Sequence, residues 1–433
     1  MTFTELNLIS PILKALTEKG YSEPTSIQEQ AIPHVLENRD ILGCAQTGTG
    51  KTAAFALPII QKVNRFKEQN KYHSGILTLI LSPTRELALQ IDESIRAYAK
   101  YTKIKHTVVF GGVNQVRQVK NLRNGVDILT ATPGRLMDLI DQGYIDLSHI
   151  KIFVLDEADR MLDMGFIHDI RKIINLIPQK RQSLFFSATI PANIIELSKS
   201  ILTNPIKIEV SPSTPTAETV QQYIYYTNWD TKNDLLLHIL KDEDKSQVLL
   251  FSRTKHGADR IARKLSQNSI KAAAIHGDRS QNQRQQALTD FKKGKVRVLV
   301  ATDIASRGID IDKLRYVINY DIPTESETYV HRIGRSGRAG ENGVAISISE
   351  PEENDFVREI ENLIQQEIEV VQDNPFPQTD KPMTAREKKE WNKEKSKRRQ
   401  AFFATRKTSG FNGSKNGKSR HQRSHQSRKG QGR

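Results

Sequence analysis

The sequence predicts an α/β chain: two tandem parallel-sheet domains followed by a disordered basic tail. Three observations lead there. A length of 433 residues exceeds one ordinary compact domain. Short apolar, β-rich runs recur between stretches that read as helices, the pattern of parallel strands joined by crossover helices. From about Asn374 the composition turns to Lys, Arg, Gly, Ser, Gln and Asn with almost no aliphatic residue, which cannot bury enough apolar surface to fold alone.

In the first half the strand-like runs are DILGCA (40–45), LTLILS (77–82), HTVVFG (106–111), VDILTA (126–131), IFVLD (152–156) and SLFFSAT (183–189). In the second they are QVLLFS (247–252), AAAIHG (272–277), RVLVAT (297–302), YVINYD (316–321) and AISIS (345–349). Between the halves SPSTPTAE (211–218), rich in Pro, Ser and Thr, reads as a linker. The expected domains are therefore 1–210 and 219–373, with a tail at 374–433 that Trp391, Phe402, Phe403 and Phe411 interrupt.

Hydrophobic residues make up 37% of the chain and charged ones 27%, as in a soluble body with a polar extension. The 65 Lys and Arg oppose 50 Asp and Glu for a net charge of +15. Residues 381–433 hold 18 of those cations against 3 acids, so the preceding 380 residues carry 47 of each sign. A neutral body with a basic tail implies a polyanionic partner, because such a tail displaces counterions from phosphates. The single Cys44 excludes an intramolecular disulfide and fits a reducing compartment. The N-terminus has no basic segment leading into an apolar stretch, and no run of 18 apolar residues occurs. A cytoplasmic protein that is not membrane-embedded is expected.

AQTGTGKT (45–52) follows the run DILGC and precedes a helical stretch, the context of a phosphate-binding loop. Gly48 and Gly50 let the backbone approach phosphates, and amides at the helix start point at them. Lys51 would reach the β and γ phosphates of a nucleotide, and Thr52 would meet magnesium. The strict pattern has Gly where this chain has Ala45. DEAD (156–159) follows IFVL: Asp156 can hold magnesium through its water shell, and Glu157 can orient and deprotonate the attacking water.

These motifs, with PTRELA (83–88), TPGR (132–135), SAT (187–189) and HRIGRSGR (331–338), closely resemble the DEAD-box RNA helicases over residues 1–370 in order and spacing. The connecting sequence is most similar to the bacterial RhlE-type branch. The resemblance implies two RecA-like domains with ATP and RNA in opposite parts of their shared cleft, magnesium as cofactor, and hydrolysis coupled to local duplex separation. It assigns the loop Ala45, Gln46, Thr47, Gly48, Thr49, Gly50, Lys51 and Thr52 to ATP. GYSEPTSIQ (20–28) looks like the family's adenine-reading motif, with Gln28 facing the base edge, Tyr21 stacking on it and Phe3 as a supporting aromatic.

Arg332, Arg335 and Arg338 stand three apart and can present several cations to one place; Arg335 and Arg338 match the family's arginine fingers. His331 would link the ATP site to SAT and Asp156. Asp310 would contact ribose, with Arg307 supporting the cleft. On the RNA side the resemblance implies Arg85, Gly111, Gly112, Thr132, Gly134 and Arg135 from the first domain, and Arg253, Gln281, Arg284, Thr302 and Asp303 from the second. Glycine amides, hydroxyls and guanidiniums suit sugar and phosphate contacts, so RNA recognition should have little sequence preference. Ribonucleoprotein or ribosome-assembly partners fit such an enzyme. The alternatives are a DNA translocase of the same superfamily, which should lack GYSEPTSIQ, and an RNA-annealing protein, against which the intact Lys51, Asp156, Glu157, Arg335 and Arg338 argue.

Overall fold

The computed structural model describes residues 1–45, 48–70, 73–210, 220–242, 245–303, 314–336 and 343–382. The linker 211–218, Gln46, Thr47, Arg307, Asp310, Arg338 and the tail aromatics lie outside the described residues.

Two seven-stranded sheets form, each wholly parallel among its described pairings. The first holds β1 (Ile41–Ala45), β2 (Thr78–Leu81), β3 (His106–Val109), β4 (Ile128–Ala131), β5 (Ile152–Leu155), β6 (Gln182–Ser187) and β7 (Ile206–Val210). Its spatial order is β3-β4-β2-β5-β6-β1-β7. The second holds β8 (Val220–Tyr226), β9 (Val248–Phe251), β10 (Ala272–Ile275), β11 (Val298–Ala301), β12 (Tyr316–Asn319), β13 (Gly343–Ser349) and β14 (Glu369–Val370), ordered β10-β11-β9-β12-β13-β8-β14.

Inner strands such as β2, β4 and β5 are buried throughout, because helices cover both faces of a parallel sheet. Two apolar clusters fill the first half, one on either face of its sheet, and residues such as Phe186 and Phe185, adjacent on β6, join opposite clusters. The RecA-like architecture expected from the sequence is what forms.

Three strands went unread: β7, β8 and β14. All lie at or beside a sheet edge; β7 alternates polar with apolar residues and β8 is built largely of Gln and Tyr, where most inner strands are apolar runs. Residues 374–379, grouped with the tail by composition, instead run along the second sheet. Asn374 Nδ2 and the Gln378 amide both donate to Tyr226 O, at 2.8 and 3.1 Å, Phe376 packs against the core, and Thr379 N–H reaches Asn228 Oδ1 at 3.0 Å. The compact unit accordingly ends at Thr379. Among the described residues no helix is long and apolar enough to cross a membrane.

Candidate active site and nucleic-acid interface

In a parallel sheet the loops that leave the carboxyl ends of the strands share one edge, where ligands bind. The strand order divides that edge of the first half. The phosphate loop after β1, SAT at the end of β6 and DEAD after β5 are neighbours; PTRELA after β2, TPGR after β4 and the Gly111–Gly112 turn after β3 are neighbours on the other side.

At the nucleotide side Gly50 caps the helix Lys51–Gln69 with φ of 95°, and Gly48 has φ of 91°, both left-handed. Gly50 is also crowded. A Cβ there would collide with the Gln28 amide nitrogen and lie 2.8 Å from the Thr25 hydroxyl. Gln28 is buried and stapled into this turn: Nε2 donates to Gly50 O at 3.1 Å, and Oε1 accepts from Thr25 N–H at 3.0 Å. A carboxamide can make twice as many bonds. Tyr21 is 40% exposed, whereas Phe3 is buried in the core. Lys51 is buried and its Nζ donates to Ala45 O at 2.6 Å, curling back over the start of the loop.

Asp156 and Glu157 are each 2% exposed. Burial raises the Asp156 carboxyl well above the usual carboxylate range, to about 7, against the pull of Lys51. Glu157 sits at φ 54°, ψ 53°, a left-handed conformation rare for a side-chain-bearing residue. Arg160 Nη1 holds its carboxylate at 2.8 Å, with both groups buried. Asp159 Oδ2 accepts from the amides of Ala188 and Thr189, at 3.1 Å each, and from the Thr189 hydroxyl at 3.2 Å. DEAD is thus joined to SAT by its fourth letter, in addition to the link to SAT and Asp156 expected of His331. His331 lines a pocket with Arg160, Asp303, Thr328, Arg332 and Arg335, which draws on both halves.

The three-apart arginines do not act alike. Arg332 is 2% exposed and turned into its own domain, with Nε and Nη2 on the Asp303 carboxylate at 2.6 and 2.8 Å and Nη1 on Asp321 O at 2.6 Å. It lines the pocket beside Arg335 but directs its charge to Asp303, which it anchors. Arg335 lines the shared pocket, and its Nε donates to His331 O at 3.3 Å.

On the other side, Arg85 lies over the double-glycine turn: a Cβ on Gly112, whose φ is 77°, would be 2.6 Å from Arg85 Cζ. Arg135 Nη2 donates to Val113 O at 3.2 Å, while its Nη1 is buried with no hydrogen-bond partner. Thr132 is buried at the start of the helix Pro133–Asp141, and a Cβ on Gly134 would meet nothing within 4 Å. Residues from the second half come to the same place. Gln281 Oε1 accepts from Arg85 Nη1 at 3.3 Å, Gln281 Nε2 donates to Glu86 Oε1 at 2.9 Å, and Arg284 Nη2 donates to Glu86 Oε2 at 2.9 Å. Burial and the nearby Arg284 lower the affinity of the Arg85 guanidinium for its proton. Thr302 N–H meets Ile275 O at 3.4 Å. Arg253 pairs with the buried Glu353 and donates to Ile322 O at 3.0 Å.

Sequence reading passed over Glu86, Asp159, Arg160 and Glu353. The first three stand inside or next to motifs already singled out; Glu353 carried no signal, since an acid in the acidic stretch EPEEND looks like solvated surface.

A glycine phosphate loop and a buried carboxylate pair on nearby strands of one sheet, completed by a second sheet of the same build, define an NTP-hydrolysing enzyme of the tandem RecA-like class. The DEAD/DEAH box helicase family model matches residues 25–197, and the helicase conserved C-terminal domain matches 231–340. The ATP-dependent RNA helicase CshA of Limosilactobacillus reuteri is 43% identical over 84% of this chain and 72% of its own. The DEAD-box ATP-dependent RNA helicase RhpA of Helicobacter pylori is 42% identical over 85% of this chain and 74% of its own. S. cerevisiae Dbp5 bound to RNA and ADP BeF3 superposes with a TM-score of 0.75 at 32% identity, covering 86% of this chain and 95% of that one. The chain belongs to the DEAD-box ATP-dependent RNA helicases.

Proposed function

We propose that this helicase separates short RNA duplexes locally, with ATP held at the β1, β5 and β6 loops and RNA at the β2, β3 and β4 loops. The observation that carries this reading is the division of one sheet edge into those two groups, each completed by residues of the second half. Ala45, Gln46, Thr47, Gly48, Thr49, Gly50, Lys51 and Thr52 cradle the phosphates, Tyr21 and the remaining capacity of Gln28 meet adenine, and Phe3 supports them from the core. Lys51 exchanges Ala45 O for a phosphate oxygen. Asp310 meets the ribose.

Glu157 accepts the proton of the attacking water, and Arg160 holds its carboxylate in place. Arg335 and Arg338 stabilise charge on the γ-phosphate. A hydroxyl and a buried carboxylate form the all-oxygen donor set that suits magnesium, so Thr52 and Asp156 would hold it, the latter through water. That ion would neutralise phosphate charge during transfer.

Arg85, Gly111, Gly112, Thr132, Gly134, Arg135, Arg253, Gln281, Arg284 and Thr302 form the RNA side, with Asp303, held by Arg332 in the pocket beside Arg335, at its border with the ATP side. Contacts to sugar and phosphate give little sequence preference. The domain limits at 210 and 219, the RhlE-type branch, a cytoplasmic location, a basic RNA-binding tail and ribonucleoprotein partners belong to the same proposal.

Glu157→Gln tests the chemistry. The amide cannot take the water's proton, so ATP and RNA binding should persist while steady-state hydrolysis falls at least ~100-fold. Turnover near the parental rate would remove Glu157 from the mechanism.

A further inference from the structure

Beside the double-glycine turn, the helix Val116–Arg123 exposes three cations for which the cleft has no use. Its inner side is fixed: Gln118 and Val119 are buried, and the Gln118 side chain bonds both the N–H and the carbonyl of Phe110, at 3.2 and 3.1 Å. Arg117, Lys120 and Arg123 are exposed and fall within about 120° on the opposite side, at 100° per residue. None has a carboxylate partner among the described residues. Of the acids on the neighbouring TPGR helix and turn, Asp138 is engaged by Arg135 and Asp146 by Ser148, while Asp141 is exposed and pairs with none of the three cations.

The far end of this stripe carries an aromatic. Arg123 Cζ lies 5.7 Å from the centroid of Tyr144, which is 37% exposed in the turn that follows the TPGR helix. Gln115 and Gln142 bind that turn to the start of the basic helix at 2.8 Å. The stripe is about 9 Å long between the Arg117 and Arg123 Cα atoms, enough for more than one phosphate.

We propose that this face is a second RNA-binding surface outside the cleft. It takes the phosphates of a strand that leaves the Gly111–Gly112 turn and stacks a base on Tyr144. Unpaired cations next to an exposed ring are the chemistry of sequence-tolerant single-strand binding. The proposal rests on the reading of the double-glycine and TPGR loops as an RNA grip.

The test compares Arg117→Gln/Lys120→Gln/Arg123→Gln and Tyr144→Ala with the parental full chain and with Arg135→Ala. Fluorescence anisotropy would follow a short single strand of about 6 nucleotides and a long one of about 20, at several salt concentrations with an ATP analogue. The triple variant should bind the short strand as the parent does and the long one about 10-fold more weakly, with the log–log salt slope flattened by roughly 0.7 for every phosphate left unneutralised. Tyr144→Ala should weaken long-strand binding with the slope kept. Parental binding of both strands would overturn the proposal and leave a solvated helix face, and equal weakening of both would overturn it in favour of general charge. If Arg135→Ala leaves short-strand binding intact, the grip reading fails instead.

Discussion

Single residues in the nucleotide half work against unfavourable surroundings, and two of these can be measured. Gly50 combines a left-handed backbone with no room for a Cβ beside Gln28 and Thr25. Gly50→Ala should therefore cost more than the ~1 kcal/mol typical of a positive-φ site and dislodge the Gln28 staple. ATP affinity should fall more than ~10-fold, with a Tm lower by several degrees. Unchanged nucleotide titrations would show that Gln28 can yield. Lys62 is the second case, on the same helix but away from the phosphates. Its ammonium donates to Val35 O at 3.1 Å, Asn38 Oδ1 at 2.6 Å and Gln182 Oε1, all neutral. Burial without a counter-charge depresses it from 10.5 to about 8. Between those values the unfolded chain holds a proton that the folded chain has released, so stability contributed by this site rises with pH there. Relative to Lys62→Met, the parental protein should gain stability in denaturant melts as pH climbs through that window. A difference that stays flat would contradict the assignment.

At the scale of elements, strands and loops were more legible than the bonds between them. Eleven of the strands announce themselves as apolar runs, and phosphate loop and acidic pair follow two of them. Their adjacency was not readable, because crossover helices set strand order and only the folded sheet brings β1, β6 and β5 together. Buried charge pairs were also hidden. Glu353, on the short turn Pro351–Glu353, is 1% exposed and gathers Lys232 Nζ at 2.8 Å, the Arg253 guanidinium and the Ile322 N–H at 3.2 Å. It ties segments that follow β9, β12 and β13 into one support. Breaking one member of a buried charge pair leaves its partner uncompensated. Glu353→Gln should raise the RNA concentration needed for half-maximal ATPase several-fold, and in an Arg253→Ala background its effect should shrink, as expected of residues that touch. Strictly additive losses would make Glu353 a stability residue unconnected with RNA.

For the whole molecule, composition located the charge but misplaced the end of the fold by six residues. Residues 374–379 are short of apolar side chains, yet backbone and amide hydrogen bonds to Tyr226 and Asn228 carry them along β8. Such pairing leaves no hydrophobic signature. A chain ending at Asp380 keeps these bonds and every residue assigned to the cleft. It should retain the maximal ATPase rate at saturating RNA while losing RNA affinity, and its salt slope should flatten by roughly 0.7 for each phosphate that the tail had neutralised. A lower maximal rate would show that the basic extension takes part in turnover; identical affinities and slopes would show that it does not touch RNA.

The meeting of Arg85, Gln281 and Arg284 around Glu86 has a consequence for ion exchange. A phosphate that reaches Arg284 must displace a carboxylate fixed to the protein, and one that reaches Arg85 a carboxamide, where at an open basic patch it would meet unpaired cations. The displaced carboxylate remains close by as a competitor and offsets part of the charge that would otherwise release counterions from the RNA. RNA binding proposed for this end of the cleft should therefore vary less with ionic strength than its cation count implies, while contacts at open basic faces rise and fall with salt.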